Sequence, residues 1–331
     1  MHISPPTYWD LLDTDAQIAA RAMAAALPKP LRELGPETAR ELLATPPRPQ
    51  PMNTVGNVEN REIPSRAGNL AARIYRDTAA TDAPALLYMH GGGFILGTLD
   101  GVDELCRVIA ARSGFVVVSL AYRLAPENPY PAALDDCLDT YSWLREHARD
   151  LGIDPDFIAV GGDSAGGALA AGLCLALRDS EQPLPMSQVL AYPPVDDSFA
   201  TSSWTEFADA PLLTSADAKW LIEQYRGHDY RDHTDPLAAP MRAKSLHGLP
   251  PALILTAEVD PIRDDAEAYA ARLRRNGVAV TTIRYPGVFH GFFTEVGVFA
   301  KTEQAIEDVC AYLRSWARRQ HNGGILPNIV I

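Results

Sequence analysis

The chain has 331 residues, 47% hydrophobic and 21% charged, which supplies a large apolar core without help from disulfides or a metal. That core fits one large α/β domain with an appended cap, or two domains. The net charge of −13 repels phosphate backbones and anionic lipid, which argues against nucleic acid and membrane surfaces as partners.

Met1 to Asp15 lacks the basic start and apolar run of a secretory leader. The first elements, between about residues 6 and 45, read as helices. Gly35-Pro36-Glu37 opens one of them: proline is tolerated in a first turn and Glu37 complements the helix dipole. Pro46-Pro47-Arg48-Pro49-Gln50-Pro51 then reads as a stiff linker.

Beyond the linker, strands and helices alternate. Val58–Ile63 and Leu70–Tyr75 read as a strand pair, Ala85–His90 as an apolar strand, and Asp103–Ala111 as a helix stopped near Gly114. Phe115–Leu120 has no polar alternation, as expected of a strand buried on both faces. Ala132–Ala148 reads as a helix, Phe157–Val160 as a strand, Ala165–Arg178 as a helix and Gln188–Tyr192 as a strand. The run Ala168–Leu177 is too short to span a bilayer and reads as a helix buried on all sides. Pro251–Thr256 is a strand, Asp264–Arg275 a helix, Val280–Tyr285 a strand and Thr302–Arg318 a closing helix. This alternation predicts an α/β fold whose mostly parallel sheet is covered on both faces.

One segment departs from the alternation. Residues 196–225 carry Phe199, Trp204, Phe207, Leu212, Leu213 and Trp220 between two core strands. The organisation that follows is N-terminal cap helices and linker in 1–52, a core in 53–195 and 226–320, a cap insertion in 196–225, and a tail in 321–331. The aromatic and leucine side chains of the insertion either line a pocket or form the cap's own core. The tail Ile325–Ile331 is apolar and open to several readings. Cys106, Cys137, Cys174 and Cys310 are far apart and show no zinc spacing. Each falls in a helix-like segment, where a buried free thiol is expected, and this fits a reducing cytoplasm.

The chemistry gathers at turns. Gly162-Asp163-Ser164-Ala165-Gly166 lies between a strand and a helix, where a tight turn exposes a serine hydroxyl and only small residues fit two places to either side. A serine hydroxyl needs a base near neutrality, and histidine serves best. Of His2, His90, His147, His228, His233, His247, His290 and His321, only His290 follows a late strand on a short loop with glycines and aromatics around it. Asp260, just past the preceding strand, is the preferred acceptor for that imidazole. Asp264 and Asp265 also suit the start of a helix, and Glu258 lies closer to the strand. His90-Gly91-Gly92-Gly93-Phe94 ends another strand, and its glycines expose amides for an oxyanion, with the Ala165 amide as a second donor. The loop fits neither phosphate-binding glycine pattern. The order serine, acid, histidine separates this set from the chymotrypsin and subtilisin arrangements.

With Tyr122-Arg123-Leu124-Ala125-Pro126-Glu127, Asp260-Pro261-Ile262-Arg263-Asp264 and His290-Gly291-Phe292 added, the chain resembles the hormone-sensitive-lipase-like, or bacterial family IV, carboxylesterases from about residue 57 to 320. The resemblance implies an α/β-hydrolase fold with a mostly parallel eight-stranded sheet and a helical cap. It implies Ser164 as nucleophile, His290 as base and Asp260 as orienting acid. Gly92, Gly93 and Ala165 would donate to the oxyanion, with Gly91 shaping the loop. It implies hydrolysis of short- to medium-chain carboxylic esters without cofactor or metal. Beyond a small-molecule ester, the partner it suggests is a second copy of the chain. Asp265 stands where glutamate is common, and Asn128-Pro129-Tyr130-Pro131 departs from the usual histidine and phenylalanine. Arg123 and Glu127 read as a buried polar scaffold behind the site. Two other readings remain: a small-molecule receptor, which in the plant gibberellin receptors lacks the histidine present here as His290, and hydrolysis of amides, lactones or peptides.

Overall fold

The computed structural model describes residues 8–44, 51–77, 81–227 and 235–321. Residues 46–50 of the expected linker, the tail 325–331, His2, His228 and His233 lie outside them. Eight strands form one sheet: β1 (Asn57–Ser65), β2 (Gly68–Arg76), β3 (Ala83–Met89), β4 (Val116–Leu120), β5 (Ile153–Asp163), β6 (Gln188–Ala191), β7 (Ala252–Val259) and β8 (Val280–Phe289). Their spatial order is β1-β2-β4-β3-β5-β6-β7-β8. The β1–β2 and β2–β4 pairs are antiparallel, and every later pair is parallel.

The apolar runs explain the middle of this sheet. All five residues of β4 are buried, and its neighbours divide alternately between two cores. Ala85, Leu87, Met89, Val116 and Val118 enter one core, while Leu86, Tyr88 and Val117 enter the other. Each fully buried valine or leucine contributes about 1.5–3 kcal/mol, so continuous runs suit only strands covered on both sides.

Helices supply the cover. On the first face lie α4 (Ala132–Glu146), α5 (Ala165–Asp179) and α8 (Arg263–Arg275), through residues such as Leu134, Leu169 and Tyr269. On the second lie α3 (Asp103–Ser113) and α9 (Ala300–His321), through Leu105, Val108, Ile306 and Val309. Gly114, at φ 77°, ends α3 where the sequence placed its stop. In α5 every residue from Ala165 to Leu175 is buried, as its apolar run predicts. The four cysteines are free and buried, one each in α3, α4, α5 and α9.

A third apolar cluster forms at the carboxyl ends of the strands. There α2 (Leu31–Leu42) meets the insertion, which folds as α6 (Ser203–Glu206) and α7 (Ser215–Arg226), while α1 (Thr14–Ala26) buries Ala16, Ala19 and Ala20 in the second core. Leu31 and Ala39 of α2 pack with Trp204, Leu213 and Leu221 and with Ile95 and Leu96. The main chain leaves helical geometry at Gly35 (φ 74°), and Pro36 opens the resumed helix, so the expected start is a kink within α2.

Candidate active site

The parallel strands change direction of succession at β3, which has β4 on one side and β5 on the other. Loops leaving the carboxyl ends of strands on either side of such a point open a crevice. Met89 pairs with Gly162, so the loop after β3 and the turn after β5 emerge side by side.

The turn after β5 is tight. Ser164 has φ 50° and ψ −120°, and its amide donates to the Ala191 carbonyl at 2.8 Å. A Cβ on Gly162 would strike the Met89 carbonyl and the Gly166 backbone, and one on Gly166 would strike Met89 again. Small residues are therefore required at both places, as the motif predicts. Ser164 precedes the first turn of α5, whose N-terminus carries partial positive charge.

Three predicted side chains meet. His290 Nε2 lies 2.9 Å from Ser164 Oγ, and His290 Nδ1 lies 2.8 Å from Asp260 Oδ2. Asp260 is fully buried and its Oδ1 accepts from the Ile262 amide at 3.0 Å. An ionised carboxylate only accepts, so it selects the tautomer with hydrogen on Nδ1 and leaves Nε2 to accept from the serine hydroxyl.

The rival acids are used elsewhere. Glu258 accepts from the Gly287 amide at 2.8 Å. Asp264 accepts from the Ser203 amide at 3.0 Å, and Asp265 from Thr201 Oγ1 at 2.6 Å and Trp204 Nε1 at 2.8 Å. Both tie down the insertion. Burial pushes the Asp265 carboxyl up to about 6 despite those hydrogen bonds.

The glycine loop after β3 is held from behind. Gly92 has φ 115°, and a Cβ there would collide with the Leu96 carbonyl. The Gly91 amide donates to Asp163 Oδ1 at 3.0 Å, and Tyr122 donates its hydroxyl to the His90 carbonyl at 2.8 Å. Among the described residues, the amides of Gly92, Gly93 and Ala165 donate to no protein acceptor. Burial pushes the His90 imidazole down to about 4, so it is neutral at pH 7.

These groups face a cavity of about 220 Å³ lined by Gly92, Gly93, Ser164 and His290. Leu31 of α2, Leu96, Leu212, Leu213 and Leu221 add apolar wall. The insertion's side chains thus divide: Leu212 and Leu213 line the cavity, whereas Trp204 and Phe207 are buried in apolar clusters. Sequence reasoning missed Leu31, Leu96 and Leu221, which no local motif marks.

It also passed over Asp163, although that residue stands inside the motif. Glu127 needs correction: its side chain is 58% exposed rather than buried, and both carboxylate oxygens accept from Arg40 of α2, at 2.7 and 2.8 Å. Arg123 pairs instead with buried Asp136 at 2.7 Å. Among the described residues, no group of three or more His, Cys, Asp or Glu could hold a metal ion, and no helix is long and apolar enough to cross a membrane.

Comparison with known proteins identifies the family. A family model described as the alpha/beta hydrolase fold matches residues 86–294. Carboxylic ester hydrolase LipN of Mycobacterium tuberculosis is 42% identical over 267 residues, 78% of this chain and 71% of that protein. Ethyl acetate hydrolase of Pseudomonas putida is 37% identical over 75% of this chain and 80% of its own. The solved structure of a hyperthermophilic esterase from Pyrobaculum calidifontis superposes with a TM-score of 0.84 at 36% identity, covering 92% of this chain and 99% of that one. The sheet order, the strained serine turn and these similarities lead to one conclusion: the chain belongs to the α/β-hydrolase fold family, in its hormone-sensitive-lipase-like branch.

Proposed function

We propose that the chain is a serine carboxylesterase acting on short- to medium-chain esters. Ser164 Oγ attacks the ester carbonyl as its proton passes to His290 Nε2, and Asp260 stabilises the imidazolium that results. The oxyanion is met by the amides of Gly92, Gly93 and Ala165; one such donor is worth about 3 kcal/mol of barrier. The protonated imidazole then gives its proton to the departing alkoxide, leaving an acyl-enzyme on Ser164. Water attacks that ester with His290 again as base, releasing the acid and restoring the serine.

The observation that carries this reading is the continuous relay Asp260–His290–Ser164, with contacts of 2.8 and 2.9 Å, opening on a leucine-walled cavity. The relatives' names, ester hydrolase and ethyl acetate hydrolase, support the same substrate class. We read residues 1–52 and 196–225 as the cap over that cavity, because α2 and α7 supply part of its wall. Four buried free thiols suit a reducing cytoplasm. The test is hydrolysis of p-nitrophenyl butyrate beside the matched anilide. Ester turnover should dominate, and Ser164→Ala should abolish it; full turnover by that variant overturns the reading.

A further inference from the structure

Tyr192 follows β6, between the strand that leads to Ser164 and the strand that leads to Asp260. Its φ is 37°, a left-handed conformation that a bulky residue holds only where its surroundings impose it. The surroundings are explicit. The Tyr192 amide donates to the Leu255 carbonyl at 2.6 Å, and the preceding carbonyl, of Ala191, accepts from the Ser164 amide at 2.8 Å. The same short segment therefore braces the serine turn and aims the tyrosine ring.

That ring is fully buried and lies against the imidazole of His290, with centroids 4.6 Å apart and planes inclined by 52°. Phe292 backs it at 5.8 Å in a T-shaped contact. The hydroxyl forms no hydrogen bond of ordinary geometry and sits near the Phe293 amide. A strained backbone thus packs an aromatic ring against the histidine while the polar atom goes largely unused.

The hydrogen bonds to Asp260 and Ser164 hold the imidazole at its two nitrogens, roughly along one axis. They last only while the ring stays seated between those two partners, and packing against the ring supplies that seat. We propose that Tyr192 is a positioning residue whose ring holds the His290 imidazole in register with Asp260 and Ser164. The inference rests on the reading of His290 as base. When Ser164 passes its proton to Nε2, the imidazole has to keep that alignment, and the tyrosine ring packed 4.6 Å away resists its displacement.

The experiment compares Tyr192→Phe, Tyr192→Leu and a control, Tyr141→Leu, on p-nitrophenyl butyrate. Tyr141 is likewise buried, with a hydroxyl lacking a partner, but it lies on α4 in the core beneath the opposite face. Tyr192→Phe should keep kcat within about twofold, because the ring remains. Tyr192→Leu should lower kcat by up to about 100-fold, the scale of a misplaced catalytic group, with KM nearly unchanged. The downfield proton resonance of His290 Nδ1–H should persist in the phenylalanine variant and broaden in the leucine one. Tyr141→Leu should lose stability but keep kcat. If the leucine variant does not accumulate folded, Tyr192→Met fills the space without a ring and carries the same expectation. A leucine or methionine variant with wild-type kcat, or a phenylalanine variant as impaired as leucine, overturns the proposal. Ser164→Ala separates the two readings: turnover surviving in it sinks the esterase mechanism, whereas its loss beside an unaffected Tyr192→Leu sinks only the role of Tyr192.

Discussion

Asp163 stands directly before Ser164 with its side chain buried among backbone and aromatic groups. Oδ1 accepts from the Tyr88 hydroxyl at 2.7 Å and from the Gly91 amide at 3.0 Å. Burial outweighs those hydrogen bonds and pushes the carboxyl up to about 6. In the unfolded chain it titrates near 4. The native state therefore binds more protons between pH 4 and pH 6, so stability falls as pH rises through that window and is level above it. The loss is on the order of 3 kcal/mol at most. Asp163→Asn keeps Oδ1 for both donors and removes the charge. Its melting temperature relative to wild type should climb from pH 4 to pH 6 and then hold constant. Calorimetry showing a level difference across that window would disprove the account. The variant should also turn over more slowly, by less than about tenfold, because a negative charge close to His290 is gone while the oriented donors remain.

At the scale of elements, the position of α2 over the cavity depends on Arg40. Its Nε donates to the Ile95 carbonyl at 2.7 Å, Nη2 to the Ala125 carbonyl at 2.8 Å, and both Nη atoms to Glu127. One guanidinium thus joins α2 to the loops after β3 and β4. Hydrogen bonding to Arg40 draws the Glu127 carboxyl down to about 2. A depressed acid contributes above its unfolded pKa, so the pairing is complete above about pH 4.5 and is lost as pH falls toward 2. Glu127 is well exposed, so salt screens the ion pair; the two carbonyl bonds matter more. Removing a partner from a carbonyl of a buried residue, as Ile95 and Ala125 are, costs about 1–3 kcal/mol. Arg40→Ala should therefore loosen the wall that Leu31 provides. KM for p-nitrophenyl hexanoate should rise by up to about tenfold. The acetate, which reaches less of that wall, should change little. A chain-length series with an unaltered profile contradicts the latch.

These elements also show what the chain's sequence reveals by itself. Both-face burial leaves an unbroken apolar run, so β4 and α5 were legible to within a residue or two. β5 begins at Ile153, before the expected Phe157, because Ile153 pairs with Ala83 across an irregular register that Asp154-Pro155-Asp156 disguises as a turn. β8 continues through Pro286-Gly287 to Phe289, where a loop was expected. There the Asp13 amide donates to the Gly287 carbonyl and Glu258 accepts from its amide, so contacts from distant residues hold the stretch in the sheet even though Gly287 itself turns to φ 78° and the register shifts. The residues at the Ser164–His290–Asp260 contacts follow motifs within short loops and could be read. Arg40 and Glu127, 87 positions apart, are joined by geometry that no local pattern encodes.

Across the whole molecule, two cores share one sheet. Leu86 and Leu87 are neighbours in β3 yet face opposite layers, so neither core can come apart without disturbing strands that the other needs. The cysteines sample both layers: Cys106 and Cys310 on one side, Cys137 and Cys174 on the other. All four are buried, and burial raises each thiol's pKa, to about 12 for Cys310 and further for the rest. Thiolate, the reactive form, is therefore scarce in the folded protein. If the layers open together, pulsed iodoacetamide labelling across a urea series should modify all four thiols with one midpoint, shared with the loss of helical signal. That outcome follows from the shared strands. Labelling of Cys106 and Cys310 at a urea concentration where Cys137 and Cys174 stay protected would show that the α3–α9 layer detaches by itself, and the single-sheet argument for cooperativity would fail.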